Sequence, residues 1–222
     1  MFSDSVRAFT TKINYFGIIR DTLMYEQFAA LIFDMDGTLV DSGQLHEQAW
    51  IKTLQHYAIP VDRPLMRSLS GVSTKATIEL LLEKFNVQTQ ASATEIQHFK
   101  ELRVQETISL LVKPTALQDI VKHYYGKKPM AVGTGAATEE AKAILAACGL
   151  ANYFTVVVGA DQVLQPKPAP DVFLRCAELL KETPERCVVF EDAKLGLQAA
   201  ASAGMVAVDV LAVHNIVNDY FL

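Results

Sequence analysis

Five apolar residues, Ala29-Ala30-Leu31-Ile32-Phe33, run straight into Asp34-Met35-Asp36-Gly37-Thr38. So short an apolar run, closed by Gly37-Thr38, reads as a buried strand whose carboxyl end opens into a tight turn. Two carboxylates spaced i, i+2 at that point have no packing role. Burying one unpaired carboxylate is costly, and two are tolerated only where a cation or a shared proton offsets them. In an open α/β sheet the carboxyl ends of the strands are where ligands bind. The stretch therefore predicts a Mg²⁺-like site in which Asp34 and Asp36 have different tasks.

The rest of the chain alternates two patterns. From Gly43 to Val112 the apolar residues recur at helical spacing and no strand is evident. Helices are expected at Gln44 to Tyr57, ended by Ile59-Pro60, and at Pro64 to Leu69, Thr74 to Phe85 and Thr94 to Leu111. After Lys113-Pro114 short strands and helices alternate. A helix at Thr115 to Tyr125 precedes a strand at Met130 to Val132, and Thr138 to Cys148 forms a helix before a strand at Thr155 to Val158. Pro170 to Leu180 is a helix, Val188 to Phe190 a strand, Leu195 to Ala203 a helix closed by Gly204, and Met205 to Val208 the last strand. Such alternation predicts an α/β fold, a doubly wound parallel sheet carrying an inserted helical cap domain. The expected division is a core of residues 26–42 and 113–215, a cap of 43–112, and an N-terminal extension of 1–25 whose role the sequence leaves open. The apolar tail from Asp209 to Leu222 is expected to pack on its own core, with a subunit contact as the alternative.

Composition excludes some functions. With half of its 222 residues hydrophobic and a fifth charged, the chain folds as a globule. Its net charge of -5 argues against nucleic acid or an anionic membrane as partner, and no apolar run approaches the roughly 20 residues of a membrane span. Residues 1–21 contain no continuous apolar core of a secretory signal. Cys148, Cys176 and Cys187 are odd in number and far apart, which predicts buried thiols and a cytoplasmic protein. The expected partner is a small phosphorylated metabolite, bound by a monomer or weak homodimer.

Polar residues recur at the predicted strand ends: Asp34 and Asp36 after the first, Thr134 after Met130 to Val132, and Glu191 and Asp192 after Val188 to Phe190. Lys167 stands between two prolines. In a parallel sheet these ends share one edge. The segments FDMDGTLVDS, VGTG, KPAPD and FEDAKLGLQAAASAG, in this order and spacing, resemble the haloacid dehalogenase superfamily of aspartyl phosphotransferases over Ala29 to Val210. The helical insertion after the first motif is similar to the cap of the β-phosphoglucomutase-like branch. Within that branch HEQAW, RPLMRSLSG, KPMAVGTG and CVVFEDAKLGLQAA are most similar to small bacterial fructose-1-phosphate and 6-phosphogluconate phosphatases.

The resemblance implies a role for each residue. Asp34 would be the nucleophile that forms an aspartyl-phosphate. Asp36 would be the general acid and then the base, for which hydrogen bonding and burial after closure should raise its pKa when substrate arrives. Thr134 and Lys167 would bind the transferring phosphoryl group. Mg²⁺ would be held by Asp34, the Asp36 backbone carbonyl and Asp192, with Glu191 direct or through water. Read without the resemblance, Asp36 is a turn carboxylate, Glu191-Asp192 a solvated pair, Lys167 a surface lysine and Thr134 a helix cap. In the cap, His46 either lies near the general acid or packs beside Trp50, while His56, His98, His123 and His214 are expected at the surface. Ser70, Gly71, Thr74 and Gly135 would meet substrate. Ser70 and Thr74 occupy positions where the mutase carries a lysine and an arginine for a second phosphate, although Lys75 is only one residue away. The missing cations favour a Mg²⁺-dependent phosphatase over a sugar phosphomutase, while Asp36 argues against a dehalogenase. A non-catalytic binding module would be expected to lack at least one of Asp34, Asp36, Lys167 and Asp192.

Overall fold

The structure, a computed structural model, describes residues 24–222. The extension read over residues 1–25 lies outside the described residues but for Met24 and Tyr25. The elements are β1 (Ala30–Phe33), β2 (Val40–Asp41), α1 (Gly43–His56), α2 (Arg63–Ser68), α3 (Thr74–Lys84), α4 (Ala93–Leu111), β3 (Lys113–Pro114) and α5 (Gln118–Tyr124). They continue with β4 (Met130–Gly133), α6 (Thr138–Ala147), β5 (Val156–Val158), α7 (Asp171–Leu180), β6 (Cys187–Glu191), α8 (Lys194–Ser202), β7 (Val206–Asp209) and α9 (Val210–His214).

Five strands form one sheet in the order β5-β4-β1-β6-β7, and every pairing is parallel. All four residues of β1 are fully buried, as a central strand covered on both faces requires. Leu31 and Phe33 of β1, with Val188 and Phe190 of β6, pack against Ile120 and Val121 of α5 and Ile144 of α6. Ala30, Ile32, Cys187 and Val189 point the other way, onto Phe173 and Cys176 of α7 and Ala199 of α8. This two-sided burial is the doubly wound arrangement that the alternation predicts.

The insertion between β2 and β3 is wholly helical and has its own apolar cluster, in which Trp50, Leu54, Met66, Ile78, Leu81 and Ile96 meet. Local signals start these helices. Asp62 caps α2 by accepting from the Leu65 amide, and Ser92 with Glu95 forms a capping box on α4. The insertion enters and leaves through β2 and β3, which pair antiparallel as Val40↔Pro114 and Asp41↔Lys113. Two-residue strands are too short to show an alternation, so the sequence reading misses them.

Boundaries shift in places that matter for chemistry. Helix α1 starts at Gly43, and β6 runs through Glu191, so that carboxylate belongs to the ladder rather than to the following loop. His56 and His98 are exposed as expected, whereas His123 and His214 are half-buried, and His214 meets the Tyr25 hydroxyl at 2.8 Å. All three cysteines are free thiols, with Cys176 and Cys187 buried and Cys148 half-buried. Among the described residues no helix is long and apolar enough to cross a membrane. The tail departs most from expectation. Ile216 packs on the core, but Tyr220 and Phe221 join the apolar cluster of the insertion.

Candidate active site

Register brings the acidic residues together. Phe33 of β1 lies beside Phe190 of β6, and the Asp34 amide donates to the Phe190 carbonyl at 2.9 Å, so Asp34 emerges next to Glu191. Lys167 Nζ donates to Asp34 Oδ1 at 2.5 Å and to Glu191 Oε2 at 2.7 Å, with all three side chains at least nine-tenths buried. Each of Asp34, Glu191 and Asp192 offers a carboxylate oxygen within 4.8 Å of the others. One ammonium thus faces three carboxylates. Burial and the Glu191 charge hold the Asp34 carboxyl well above the usual range. Burial, reinforced by Glu191, pushes the Asp192 carboxyl up to about 7 despite hydrogen bonds from Asn218 and Thr38. Burial alone would depress Lys167, but Asp34 and Glu191 outweigh it and keep the ammonium above its ordinary value. Hard oxygen donors with surplus negative charge fit Mg²⁺.

Asp36 faces the other way. Its turn depends on Gly37, whose φ of +79° is left-handed and whose missing Cβ leaves room for Asp192 and Asn218. Ser42 Oγ donates to Asp36 Oδ1 at 2.6 Å, and His46 Nε2 meets the same oxygen at 2.9 Å. Lys100 Nζ lies 3.2 Å from His46 Nδ1 and 3.0 Å from Glu140 Oε1. An ammonium can only donate, so Nδ1 accepts and the ring proton sits on Nε2, directed at Asp36. Burial opposes ionisation of Asp36, but His46, Ser42 and Lys100 together hold its carboxyl below the ordinary value. Without substrate, the protein alone thus keeps Asp36 ionised. Of the two readings of His46, the structure takes the one that touches Asp36.

Asp34, Asp36, His46, Thr134, Glu191 and Asp192 line one cleft. Ser70, Gly71, Thr74 and Gly135 also line it. A Cβ on Gly135 would stand 3.0 Å from the Gly71 carbonyl oxygen, so the insertion and the core meet there with only backbone between them. Thr134 does not cap α6, whose N-cap position is Ala137; its hydroxyl accepts from the Ala136 amide at 3.1 Å. Lys167 lies behind Asp34 and Glu191, off the cleft wall. Lys75 is exposed and also off it.

Polar residues on the cleft wall that sequence reasoning missed include Ser42, Thr77, Lys100, Glu140, Asn218 and Tyr220. Lys100 stands between Ile96 and Val104 on the buried stripe of α4. That i, i+4, i+8 position was a usable signal, since a lysine on a buried stripe needs a partner. Glu140 in the first turn of α6 and the two tail residues carry no such mark.

The chain resembles known proteins over most of its length. A family model for haloacid dehalogenase-like hydrolases matches residues 28–204. The fructose-1-phosphate phosphatase YqaB of Escherichia coli (strain K12) is 45% identical over 84% of this chain and 98% of its own. The β-phosphoglucomutase of Bacillus subtilis (strain 168) is 32% identical over 82% of both chains. The crystal structure of CbbY from Rhodobacter sphaeroides in complex with phosphate superposes with a TM-score of 0.74 at 25% identity, covering 81% of this chain and 84% of that one. The chain belongs to the haloacid dehalogenase-like hydrolase family.

Two outcomes follow from the charges. In Lys167→Met, two buried carboxylates lose their cation, and urea unfolding of the metal-free protein should show a loss of about 3–5 kcal/mol; a loss below about 1 kcal/mol would contradict the pairing. The second concerns pH. The folded state retains the Asp192 proton between the ordinary value of 3.8 and about 7, whereas the unfolded chain has released it. Unfolding free energy therefore falls as pH rises through that window. A divalent cation held by these carboxylates would replace the proton, so MgCl₂ should raise the thermal midpoint more at about pH 8 than at about pH 6. An equal or larger rise at the lower pH would contradict the assignment.

Proposed function

We propose that this hydrolase is a phosphatase of small sugar or sugar-acid phosphates, of the fructose-1-phosphate or 6-phosphogluconate type, working in the cytoplasm with Mg²⁺ through a phosphorylated Asp34. The observation that carries the reading is the opposed pairing of two neighbouring aspartates: Asp34 is held by Lys167, and Asp36 by His46.

In this reading the carboxylate of Asp34, fixed at Oδ1 by Lys167, attacks phosphorus and takes the phosphoryl group from the sugar oxygen. Thr134 and the backbone at Gly135 cradle the phosphoryl oxygens. Mg²⁺ would be held by Asp34, Asp192 and the Asp36 backbone carbonyl, with Glu191 direct or through water. When bound, Mg²⁺ supplies charge neutralisation at the phosphoryl group. Asp36 is ionised before substrate arrives. The dianionic phosphate raises its affinity for a proton, Asp36 loads one in the complex, and it passes that proton to the leaving alkoxide. Ionised again and steadied by His46 Nε2–H, it draws the proton from the water that hydrolyses the aspartyl-phosphate. The insertion serves as the cap that shields these steps from bulk water.

Two features favour a sugar as substrate and water as final acceptor. Glu140 lines the cleft, and its Oε2 is buried without a hydrogen-bond partner among the described residues, an acceptor suited to a sugar hydroxyl. Second, among the described residues the cap presents no spare cation on the cleft wall for another phosphate. Lys100 engages His46 and Glu140, Arg67 donates to the tail, and Lys75 is off the cleft. A phosphomutase must hold a bisphosphate at both ends.

Phosphate release from a panel of hexose, pentose and sugar-acid phosphates, with MgCl₂ and with EDTA, tests the reading. Turnover should require the metal, and Asp36→Asn should lower kcat by about 10²–10⁴-fold with little change in KM. Turnover confined to nucleotides or phosphonates, or an isomeric sugar phosphate as product, would overturn it.

A further inference from the structure

The family match ends at residue 204, yet Asn218 and Tyr220 on the cleft wall come from beyond it. After α9 the chain reverses at Asn215, in left-handed conformation with φ 55°, anchors Ile216 in the core, and crosses to the insertion. Midway, Asn218 Nδ2 donates to Asp192 Oδ2 at 2.7 Å. Asn218 Oδ1 accepts from the Tyr220 amide at 3.0 Å, which sets the amide so that its donor faces the carboxylate. Thr38 Oγ1 holds the other Asp192 oxygen at 3.1 Å. Both oxygens of Asp192 are thereby fixed, one of them by the tail.

The far end of the tail is bound to the insertion. A single Arg67 nitrogen on α2 donates to the carbonyls of Asn218 and Tyr220 at 2.6 and 2.7 Å. The Phe221 amide donates to Glu47 Oε2 at 2.9 Å, and Arg63 holds the other Glu47 oxygen at 2.7 Å. Tyr220 and Phe221 bury their rings beside Trp50 and Met66. Two glycines make room for the crossing: a Cβ on Gly37 would collide with Asn218, and one on Gly43 with Asp219.

We infer that residues 216–222 are a strap through which the helical insertion sets the geometry of Asp192, with Asn218 as a positioning residue for the cation site. The inference rests on the reading of Asp192 as a metal ligand given above. Groups that orient a ligand from behind typically govern metal affinity by 10–100-fold. Because Asn218 is braced by Arg67, displacement of the insertion relaxes Asp192, and cation affinity is coupled to the position of the insertion.

The test uses the full-length protein and Mn²⁺ alone as an EPR-visible probe, reading free ion against protein concentration. Asn218→Leu, of similar size and without the amide, should bind Mn²⁺ about 10–100-fold more weakly while its circular dichroism in EDTA shows it still folded. Arg67→Met, distant from the acidic cluster, should weaken binding in the same direction by a smaller factor; it also serves should the Leu variant fold poorly. Parental affinity in Asn218→Leu overturns the positioning role. Parental affinity in Arg67→Met overturns the coupling to the insertion. Failure of the parent protein itself to bind the ion overturns the metal reading and the strap together, and is told apart because it shows without any substitution.

Discussion

A lysine ammonium clamped between two buried carboxylates is the constraint on which the structure turns. Lys167 reaches Asp34 and Glu191 only because β1 and β6 are parallel neighbours in register, and because the segment before α7 crosses to the same sheet edge. Each partner is untenable alone at that depth. The arrangement fixes Asp34 where it emerges from the sheet and leaves a surplus of negative charge that a divalent cation would balance. Strand order, burial and electrostatics are therefore one requirement expressed three ways.

The second aspartate is governed by the insertion. His46 and Lys100 belong to helices of that block, and Glu140 to the core, so the chain Asp36–His46–Lys100–Glu140 spans the junction between them. The strap spans the same junction through Asn218 and Arg67. Both lines of contact converge on the acidic residues, one on Asp36 and one on Asp192. Position of the insertion and readiness of the site are consequently linked by direct hydrogen bonds rather than by any distant relay.

The core of this picture was legible in the sequence. Apolar runs of strand length, each ending in a polar residue, specify a parallel sheet and the edge where Asp34, Thr134 and Glu191 gather, and helical spacing marks the insertion. What was illegible depends on pairing across long separations. Val40 and Lys113 lie in strands too short to carry a pattern. Lys100 reads as an interruption of an apolar stripe until Glu140 and His46 are seen beside it. The ionised state of Asp36 could not be inferred from burial, because its partners outweigh the desolvation that burial imposes. The apolar tail was readable as something buried, but not as something that crosses to the insertion and places Asn218 on Asp192.

The central claim is that Asp34, and not Asp36, accepts the phosphoryl group. Acid quenching during turnover of a sugar phosphate, followed by borohydride reduction and peptide mass mapping, tests it directly. The account predicts reductive modification at position 34 in the parent, dependent on substrate, and its loss in Lys167→Met. Modification at Asp36, or steady turnover with position 34 unmodified, would contradict it.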